Sequence, residues 1–600
     1  MFTFIIGRYR VRLGARGGCA LPKSLAWMIG GDQGEGIDAT GDVFGRVLSR
    51  LGYCIYGYRH FSSRIKGGHT NFTVRIAADR VLAPQANVEV LVALTQETID
   101  RNAHLLLPGA PLLADSQLKP VLPDGCEARL VEIPLTQIAR EVGAAVVRNM
   151  VAVGGSAALF GLPLEAFEAY AREKFERKGE TVALQNVEAL RRGHAFIEEL
   201  GLMGRFALPA PRPRERYLMT GNDSLALGAL AAGCRIMAAY PITPATDIME
   251  NLAGLFPRFG GAVCQMEDEL AAITLVIGAN YAGARAMTAT SGPGFSLMQE
   301  GIGLASMAEI PAVVVDTQRV GPSTGMPTKN EQSDLLAAVF GGHGEGQRIV
   351  IAPGTAVQAF ADGFEAFNLA DRYQCPVIVL SDLALAQWLQ SVEALPPEGH
   401  AIDRGAIVAQ EELDRLTGEF ERYRLTEDGI SPRALPGMPK GQFLATGVEH
   451  ASSGKVSEAP QNRIAQMEKR SRKLDPLRAR PGAIETSHTD DAEVVIVCFG
   501  SIVGAVDEAV ELLRQDGVRA GRVQVRQLWP MPDVPLAAAL RGAGKVLVAE
   551  QNATGEMRQL MRIAGLEDDR YRSLLHFDGT LLSPQRVVAA VQELSVKEGV

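Results

Sequence analysis

Short runs of apolar residues alternate with helix-like patterns along most of the chain. Between residues 217 and 383 the runs Cys234–Ala239, Ala312–Asp316 and Val377–Ser381 have the length and composition of buried strands, and amphipathic segments separate them. Strands that alternate with helices are typical of βαβ units, which form parallel sheets. The pattern therefore predicts an α/β structure with a parallel sheet in this region.

Two further regions show the same alternation. Near the N-terminus the strand Leu25–Ile29 leads into the glycine-rich loop Gly30–Gly36 and a helical pattern over Ile37–Leu51. Near the C-terminus Val494–Ser501 and Lys545–Glu550 are apolar runs typical of buried strands. Because 600 residues are too many for one hydrophobic core, we predict a multidomain α/β protein.

The segments between these regions indicate where the domains end. Residues 209–214 are rich in proline and basic, which favours a semi-rigid linker. Arg463–Lys473 is a basic, helix-like run that we interpret as a solvent-exposed face. The predicted division is an N-terminal extension (1–24), a first domain (25–200), a linker (201–216), a second domain (217–390), a connector (391–485) and a final domain (486–600).

Composition narrows the class of protein. A hydrophobic content of 47% with 22% charged residues is ordinary for a globular protein, and no apolar run approaches the length of a membrane span. The net charge of −9, with no basic stripe, argues against nucleic-acid binding. We therefore expect neither a nucleic acid nor a membrane as partner.

The cysteines are dispersed along the sequence. The nearest two of the seven, Cys234 and Cys264, are 30 positions apart, so no Cys-x-x-Cys pair exists. Isolated cysteines in apolar runs are typical of core residues in a reducing cytoplasm, where we expect this protein. The spacing excludes an iron–sulfur motif of ferredoxin type, and we assign no metal ligand to this chain.

The turn Tyr240–Thr246 is the most informative local motif. Pro241 and Pro244 each fix their own φ and bias the preceding residue away from the helical region, so this strand-to-helix turn is stiff. Thr243 is thereby placed at the carboxyl edge of the predicted sheet, where open α/β folds bind ligands. An isolated motif of this kind also fits a rigid surface turn with a threonine cap.

Three more motifs follow in order: Gln265–Ala272, Thr288–Phe295 and Asp316–Thr328. Together with Tyr240–Thr246 they resemble the alpha subunit of the 2-oxoacid:ferredoxin oxidoreductases, thiamine diphosphate enzymes that make acyl-coenzyme A. The glycine loops at 30–36 and 62–70, with Val147–Val153, resemble the gamma domain of the same family. The resemblance extends from about residue 27 to residue 600.

This resemblance gives each predicted domain a fold. The first domain is expected to be a gamma-type α/β domain, and the second a thiamine diphosphate fold of the pyrimidine-binding type with a parallel sheet. The connector contains Ser431–Gly437 and Thr446–His450, which resemble the family's segment between its two alpha domains. The final domain resembles the transketolase C-terminal domain, to which we assign subunit packing and no chemistry.

The resemblance implies a catalytic role for Glu269. Thiamine diphosphate needs one carboxylate beside its pyrimidine ring, which then takes the imino form that removes the C2 proton. Glu269 aligns with that carboxylate, and Glu267 and Asp268 flank it. The same acidic cluster is also typical of a helix start, where carboxylates interact favourably with the helix dipole.

Two further residues match the family's substrate contacts. A 2-oxoacid carboxylate calls for a hydroxyl and a forked guanidinium, and Thr243 and Arg319 align with such residues. An ordinary surface ion pair is the alternative for Arg319. Residues expected on the thiamine diphosphate side are Tyr240, Pro241, Ile242, Glu269, Ser291 and Gly292.

The gamma-type loops are the candidates for coenzyme A. Glycines beside cationic side chains suit anionic phosphates, although both loops also fit structural turns. The residues assigned to the coenzyme A side are Gly34, Gly36, Ser63, Arg64, Lys66, Gly67 and Gly68.

The chain lacks a convincing Gly-Asp-Gly motif with a following Asn, through which thiamine enzymes bind the diphosphate and Mg²⁺. We therefore expect thiamine diphosphate to be shared with a beta subunit that holds the Mg²⁺ and a four-iron four-sulfur cluster. The implied assembly is a dimer of alpha–beta heterodimers that reduces ferredoxin.

The expected reaction converts 2-oxoglutarate and coenzyme A to succinyl-coenzyme A and CO₂, and is reversible as a carboxylation. Pyruvate or a broad range of 2-oxoacids is the alternative substrate. A non-catalytic docking subunit is a further alternative. A NAD-linked thiamine dehydrogenase or a transketolase is disfavoured, because both the dinucleotide fingerprint and the diphosphate motif are missing.

Overall fold

The computed structural model describes residues 24–61, 68–143, 145–211, 214, 216–395 and 401–596. Its strands are β1 Ser24–Asp32, β2 Cys54–His60, β3 His69–Ala77, β4 Val90–Ala93, β5 Pro111–Asp115, β6 Arg129–Ile133, β7 Tyr217–Met219, β8 Cys234–Ala239, β9 Ala262–Gln265, β10 Arg285–Thr290, β11 Ala312–Gln318, β12 Ile349–Ile351, β13 Pro376–Asp382, β14 Leu389–Val392, β15 Ile484–Ser487, β16 Val494–Cys498, β17 Ala520–Val525, β18 Gln527–Trp529, β19 Lys545–Glu550 and β20 Tyr571–Leu575.

The α-helices connect and cover these strands. They are α1 Ile37–Arg50, α2 Gln96–Asn102, α3 Leu135–Val142, α4 Arg148–Leu159, α5 Leu164–Phe175, α6 Glu180–Glu199, α7 Gly221–Ala231, α8 Thr246–Leu255, α9 Glu269–Tyr281, α10 Gly292–Leu297, α11 Gln299–Met307, α12 Leu335–Phe340, α13 Ala356–Tyr373, α14 Leu383–Gln387, α15 Gln410–Asp414, α16 Pro460–Arg472, α17 Val503–Gln515, α18 Asp533–Leu540, α19 Glu556–Ile563 and α20 Pro584–Val596. Among the described residues, none of the helices has both the length and the apolar character needed to cross a membrane.

The strands form three sheets, and the predicted multidomain α/β fold is confirmed. The first sheet has the order β6-β5-β4-β1-β3-β2-β14-β7, the second β18-β12-β13-β11-β10-β8-β9, and the third β15-β17-β16-β19-β20. Within the second sheet β8, β9, β10, β11, β12 and β13 are parallel, and β18 is antiparallel. Its central strands are buried on both faces, as expected for a parallel sheet covered by helices.

The first two sheets each recruit strands from a neighbouring part of the chain. β14 and β7 extend the first sheet, since Leu389 and Gln390 pair with Gly57 and Tyr56 of β2. β18 joins the second sheet, with Trp529 opposite Val350. Main-chain hydrogen bonds therefore link the N-terminal, middle and C-terminal parts of the fold.

Buried side chains strengthen these links. Glu508 of α17 accepts hydrogen bonds from Arg75 at 2.7 Å and from the Leu82 amide at 2.9 Å. Between the middle and C-terminal parts, the Gln332 amide donates to the Gln551 carbonyl at 2.7 Å, and Asn552 Nδ2 donates to the Gln332 carbonyl at 2.9 Å. Buried polar groups that are paired in this way fix one relative placement of the elements that carry them.

The interpretation of Arg463–Lys473 as a solvent-exposed face is wrong for one side of the segment, although Arg463 and Arg472 are exposed. The helix forms, as α16, but the side chains of Lys469 and Lys473 are fully buried. Their Nζ atoms lie 2.6 and 3.2 Å from the two carboxylate oxygens of Glu309. A buried charge is tolerated only when it is paired, and this partner comes from 160 positions earlier in the sequence.

Candidate active site

Glu269 is the first residue of α9, directly after the helix cap. Asp268 has an extended backbone, and its carboxylate accepts a hydrogen bond from the Ala271 amide at 2.7 Å. Both interpretations of the acidic cluster therefore apply, but to different residues. Asp268 caps the helix, while the neighbouring Glu269 is buried and only 7% exposed. No residue that the structure describes donates a hydrogen bond to the Glu269 carboxylate, which leaves it available to a ligand.

The loop after β10 packs directly on this carboxylate. A Cβ atom added to Gly294 would lie 2.4 Å from Glu269 Oε1 and 2.2 Å from Thr290 Oγ1. Any larger residue there would have to displace the Thr290 and Glu269 side chains, because real Cβ atoms do not approach other heavy atoms so closely. The motif Thr288–Phe295 therefore brings its backbone against the glutamate.

Arg319 follows β11 and lies beside the turn that holds Thr243. Its Nη1 atom donates a hydrogen bond to the Thr243 carbonyl at 2.6 Å, and its Nε atom has no partner in the described chain. The side chain is buried, yet no described carboxylate lies within ion-pair distance of it. Burial lowers the pKa of Arg319, and the negative charge of Asp334 opposes that shift. A buried guanidinium without a direct counter-ion is suited to bind an anion.

The remaining residues assigned to the cofactor side lie around the same sheet edge. Ser291 is fully buried, and its hydroxyl has no hydrogen-bond partner among the described residues. Gly292 packs against a carboxylate, since a Cβ there would lie 2.9 Å from Asp334 Oδ2. Of the turn after β8, Tyr240 is exposed while Pro241 and Ile242 are half-buried. The structure thus brings Thr243, Glu269, Ser291, Gly292 and Arg319 to the carboxyl ends of β8, β9, β10 and β11.

Sequence reasoning missed three carboxyl groups next to these residues. Asp316 is fully buried, and neither of its carboxyl oxygens has a partner in the described structure. Burial, reinforced by Asp334, raises the pKa of Asp316 well above its usual range. Burial also raises the pKa of Asp334 to about 6, with Glu331 adding to the shift and Arg319 opposing it.

The third carboxyl group belongs to the C-terminal part of the chain. Glu556 accepts a hydrogen bond from the Leu336 amide at 2.9 Å, two residues after Asp334. Burial raises the pKa of Glu556 to about 7, and the charges of Asp334 and Glu550 act in the same direction. Asp316 could have been noticed in the sequence, because it interrupts an apolar strand. No local sequence feature marks Asp334 or Glu556.

A large cavity lies where the three parts of the fold meet. Its volume is about 1010 Å³, and Gly68 and Gly325 are among its lining residues. Its basic lining residues are Arg59, His60, His69, Arg101, His104, Lys329, His576 and Arg586. Lys329 Nζ lies 2.9 Å from His60 Nδ1, and burial lowers the pKa of this lysine. Among the described lining residues that carry a full charge at neutral pH, Arg59, Arg101, Lys329 and Arg586 are positive and only Glu97 is negative, so positive charge prevails.

The predicted coenzyme A residues divide between this cavity and other places. Gly68 lines the cavity, whereas Ser63, Arg64, Lys66 and Gly67 lie outside the described residues. Gly34 and Gly36 are not among the lining residues.

The Gly34–Gly36 loop is closed by its own glutamate. Glu35 accepts hydrogen bonds from the Asp32 amide at 3.0 Å, through its carboxylate, and from Asn149 Nδ2 at 2.7 Å, through its carbonyl. Its carboxylate also pairs with Arg148. These contacts account for the neighbouring motif Val147–Val153, whose residues fasten the loop to α4.

Family models match most of the chain. A model described as "Pyruvate flavodoxin/ferredoxin oxidoreductase, thiamine diP-bdg" matches residues 227–469, and "Pyruvate ferredoxin/flavodoxin oxidoreductase" matches residues 26–196. "Pyruvate:ferredoxin oxidoreductase core domain II" matches residues 492–587. Fold and matches together define an oxidoreductase of the class that has a thiamine diphosphate-binding domain.

Relatives and a solved structure narrow the class to one family. The chain is 35% identical to subunit alpha of 2-oxoacid:ferredoxin oxidoreductase 2 from Aeropyrum pernix, over 95% of this chain and 97% of that one. It is 33% identical to 2-oxoglutarate oxidoreductase subunit KorA from Mycobacterium tuberculosis, over 89% of this chain and 86% of that one. The chain belongs to the family of 2-oxoacid:ferredoxin oxidoreductase alpha subunits, which confirms the resemblance noted in the sequence.

The fold agrees with a solved member of that family. This is the 2-oxoglutarate:ferredoxin oxidoreductase from Magnetococcus marinus, with 2-oxoglutarate, coenzyme A and succinyl-coenzyme A bound. The TM-score is 0.90 at 35% sequence identity, and the similarity covers 95% of this chain and 99% of that one.

Proposed function

We propose that this chain is the gamma-fused alpha subunit of a 2-oxoglutarate:ferredoxin oxidoreductase. The reaction would convert 2-oxoglutarate, coenzyme A and two oxidised ferredoxins to succinyl-coenzyme A, CO₂ and two reduced ferredoxins, and would run in reverse as a carboxylation. The main support is Arg319, a buried guanidinium without a direct counter-ion that is bonded to the Thr243 turn at the same sheet edge as Glu269.

Glu269 would hold the pyrimidine ring of thiamine diphosphate. The cofactor supplies the carbon nucleophile that attacks the 2-oxo group. The residues fit its pyrimidine, because the buried carboxylate has no hydrogen-bond donor among the described residues and the Gly294 backbone leaves a flat, close-packed wall beside it. Glu269 would orient the ring and hold a proton at one of its nitrogens.

Arg319 and Thr243 would bind the C1 carboxylate of the substrate. The Arg319 bond to the Thr243 carbonyl aims the guanidinium and leaves its remaining N–H groups for an anion. Ser291, whose hydroxyl has no other partner in the described chain, would add a donor or acceptor at the same edge.

The basic cavity would admit coenzyme A. Its volume of about 1010 Å³ and its basic lining suit a large ligand that carries several phosphate charges. Gly68 lines this cavity, and Ser63, Arg64, Lys66 and Gly67 come directly before it in the sequence, so they remain candidates for phosphate contacts. Gly34 and Gly36 are weaker candidates, since Glu35 already closes their loop.

A beta subunit would complete the site. Large apolar side chains that flank it are exposed: Tyr240 by 43%, Leu270 by 49% and Leu297 by 50%. Apolar side chains of this size next to a reaction site are typical of an interface core. The partner would hold the diphosphate with Mg²⁺ and carry the four-iron four-sulfur cluster, since this sequence offers neither motif. We further propose that two alpha–beta heterodimers associate.

We propose a gamma domain (25–200), a pyrimidine-binding domain (217–390), a connector (391–485) and a transketolase C-terminal-like domain (486–600); the matched ranges support the first and last of these, whereas one match, over residues 227–469, spans the middle two. Substrate identity rests on the 2-oxoglutarate enzymes from Mycobacterium tuberculosis and Magnetococcus marinus. The Aeropyrum pernix relative bears the general name 2-oxoacid:ferredoxin oxidoreductase, so a broad substrate range is the second candidate.

The test is to purify the chain with its beta subunit and to follow ferredoxin reduction with 2-oxoglutarate or pyruvate. We expect reduction that needs both 2-oxoglutarate and coenzyme A, with succinyl-coenzyme A as the product. Equal turnover of pyruvate would favour the broad-range alternative. Failure of every 2-oxoacid to reduce ferredoxin, in a complex that contains thiamine diphosphate and the cluster, would refute the proposal.

A further inference from the structure

A group of buried carboxyl groups lies directly behind the proposed substrate site. Asp316 ends the apolar part of β11 with both carboxyl oxygens buried and without a partner in the described chain. Asp334 Oδ2 is also buried and unpartnered there, and Glu556 is 7% exposed. These three groups have no role in the mechanism proposed above.

Their placement connects them to the site residues. Asp334 Oδ2 lies against Gly292 on the cofactor loop, where a Cβ would be 2.9 Å from it. The Asp334 amide donates to Gln318 Oε1 at 3.1 Å, so Asp334 is anchored beside the residue that precedes Arg319. Glu556 reaches the same point from the C-terminal domain through its bond with the Leu336 amide.

The charge balance here is unusual. An ionised carboxylate that is buried without hydrogen bonds is strongly unfavourable, and two such neighbours cannot both ionise cheaply. Asp316, with neither oxygen paired, is the group expected to keep its proton. Asp334 is anchored on Gln318, the residue before Arg319, and its negative charge opposes the fall in the pKa of the buried guanidinium without forming a direct ion pair.

We propose that Asp334 is a positioning residue whose protonation sets the charge that Arg319 presents to the 2-oxoacid carboxylate. The inference rests on the proposed function, because it assumes that Arg319 binds that carboxylate. When Asp334 is ionised, its negative charge partly offsets the positive charge of the Arg319 guanidinium and competes with the substrate carboxylate for it. When Asp334 is protonated, Arg319 is left as an uncompensated cation and attracts the substrate more strongly.

The groups around Asp334 fix the direction of the pH dependence. Those that face it are Asp316 and Arg319 of the β11 segment, Glu331 of the preceding loop and Glu556 of α19. Burial and Glu331 raise the pKa of Asp334 to about 6, against the attraction of Arg319. The Michaelis constant for the 2-oxoacid should therefore be lowest below about pH 6 and should rise above it.

The experiment measures KM and kcat of the complex across this pH range. For the wild type we expect KM to rise by roughly fivefold or more as Asp334 ionises, the usual size of a coupling between two sites. Asp334→Asn keeps the size and the Gly292 contact but cannot ionise. It should show the low KM at every pH, with kcat changed little.

Asp362→Asn is the matched control. Burial raises the pKa of Asp362 to about 6 as well, but Asp362 lies on α13, away from the site, and its carboxylate pairs with Arg526 between β17 and β18. This variant should keep the wild-type pH profile of KM. A wild-type KM that does not vary around pH 6, or an Asp334→Asn complex that keeps the wild-type profile, would overturn the inference.

An independent measurement does not depend on turnover. Infrared spectra of the purified wild-type complex should contain a protonated-carboxyl band at neutral pH that is lost in Asp316→Asn. A second band should appear on acidification through about pH 6 and be weaker in Asp334→Asn than in the wild type, because Asp362 and Glu556 also gain protons in this range. Absence of both bands from the wild type would refute the carboxyl assignment. A complex that shows them but turns over no 2-oxoacid would refute the proposed function instead.

Discussion

Arg319→Lys is the sharpest test of the substrate site. Lysine keeps the positive charge but has a single ammonium group in place of the planar guanidinium. It therefore cannot donate to the Thr243 carbonyl and at the same time bind a carboxylate through two parallel N–H groups. One charge-assisted hydrogen bond in a buried site contributes about 1.5–3 kcal/mol. The expected loss in kcat/KM for the 2-oxoacid is therefore about 10- to 150-fold.

Steady-state kinetics with varied 2-oxoacid, together with a thermal melt of the same complex, measure this loss. Arg348→Lys is the matched control: Arg348 is also buried and also donates to a backbone carbonyl, that of Gly341 at 2.8 Å, but it lies outside the site. The control should lower the melting temperature without changing kcat/KM. If Arg319→Lys behaves like the control, with reduced stability and unchanged kcat/KM, Arg319 does not bind substrate.

Three further outcomes are expected. Glu269→Gln keeps the size of the side chain but removes the carboxylate, so turnover should fall ~100-fold or more while the complex still assembles; activity within about threefold of the parent would exclude the role. The chain purified without its beta subunit should contain no iron, because its cysteines are dispersed, and a cluster absorbance spectrum from the single chain would contradict this. Glu309→Gln leaves Lys469 and Lys473 buried without their counter-ion and should cost about 3–5 kcal/mol of unfolding free energy at neutral pH. The two lysines hold the pKa of Glu309 at about 2 against an ordinary 4.5, so its stabilisation is complete above about pH 4.5 and is lost as the pH falls towards 2. Denaturant titrations of both proteins should therefore converge in acid, and a constant difference would count against the ion pair.

Local sequence patterns were sufficient to predict the order of strands and helices. β8 and β19 have the predicted bounds, and β1, β11 and β13 differ from prediction by one to three residues at their ends. Such runs are readable because a strand buried on both faces needs consecutive apolar side chains. The polar ends of β11 and β13 were missed, since Gln318 bonds the Ser381 carbonyl and Asp382 accepts from the Ser501 amide, partners that are distant in the sequence.

Features that depend on distant partners could not be predicted in this way. The burial of Lys469 and Lys473 requires Glu309, and the pairing of β2 with β14 joins residues over 300 positions apart, as does the bond from the Ile55 amide to Ser391 Oγ. The same distinction between local motifs and distant partners applies to the residues of the candidate site. Glu269, Thr243 and Arg319 lie in motifs whose order along the sequence can be recognised. Asp334 and Glu556 could be connected to the site only through the residues that the tertiary structure brings beside them.

The pairing of β2 with β14 bears on how the cavity proposed for coenzyme A is held relative to the Glu269 edge. The cavity proposed for coenzyme A is lined partly by Tyr58 and Arg59 of β2, and partly by Lys329 from the loop after β11. Since β14 follows β13 of the second sheet and pairs with β2 of the first, backbone hydrogen bonds fix the separation between the cavity and the Glu269 edge. A ligand in the cavity therefore cannot be brought to the site by free rotation of the first domain.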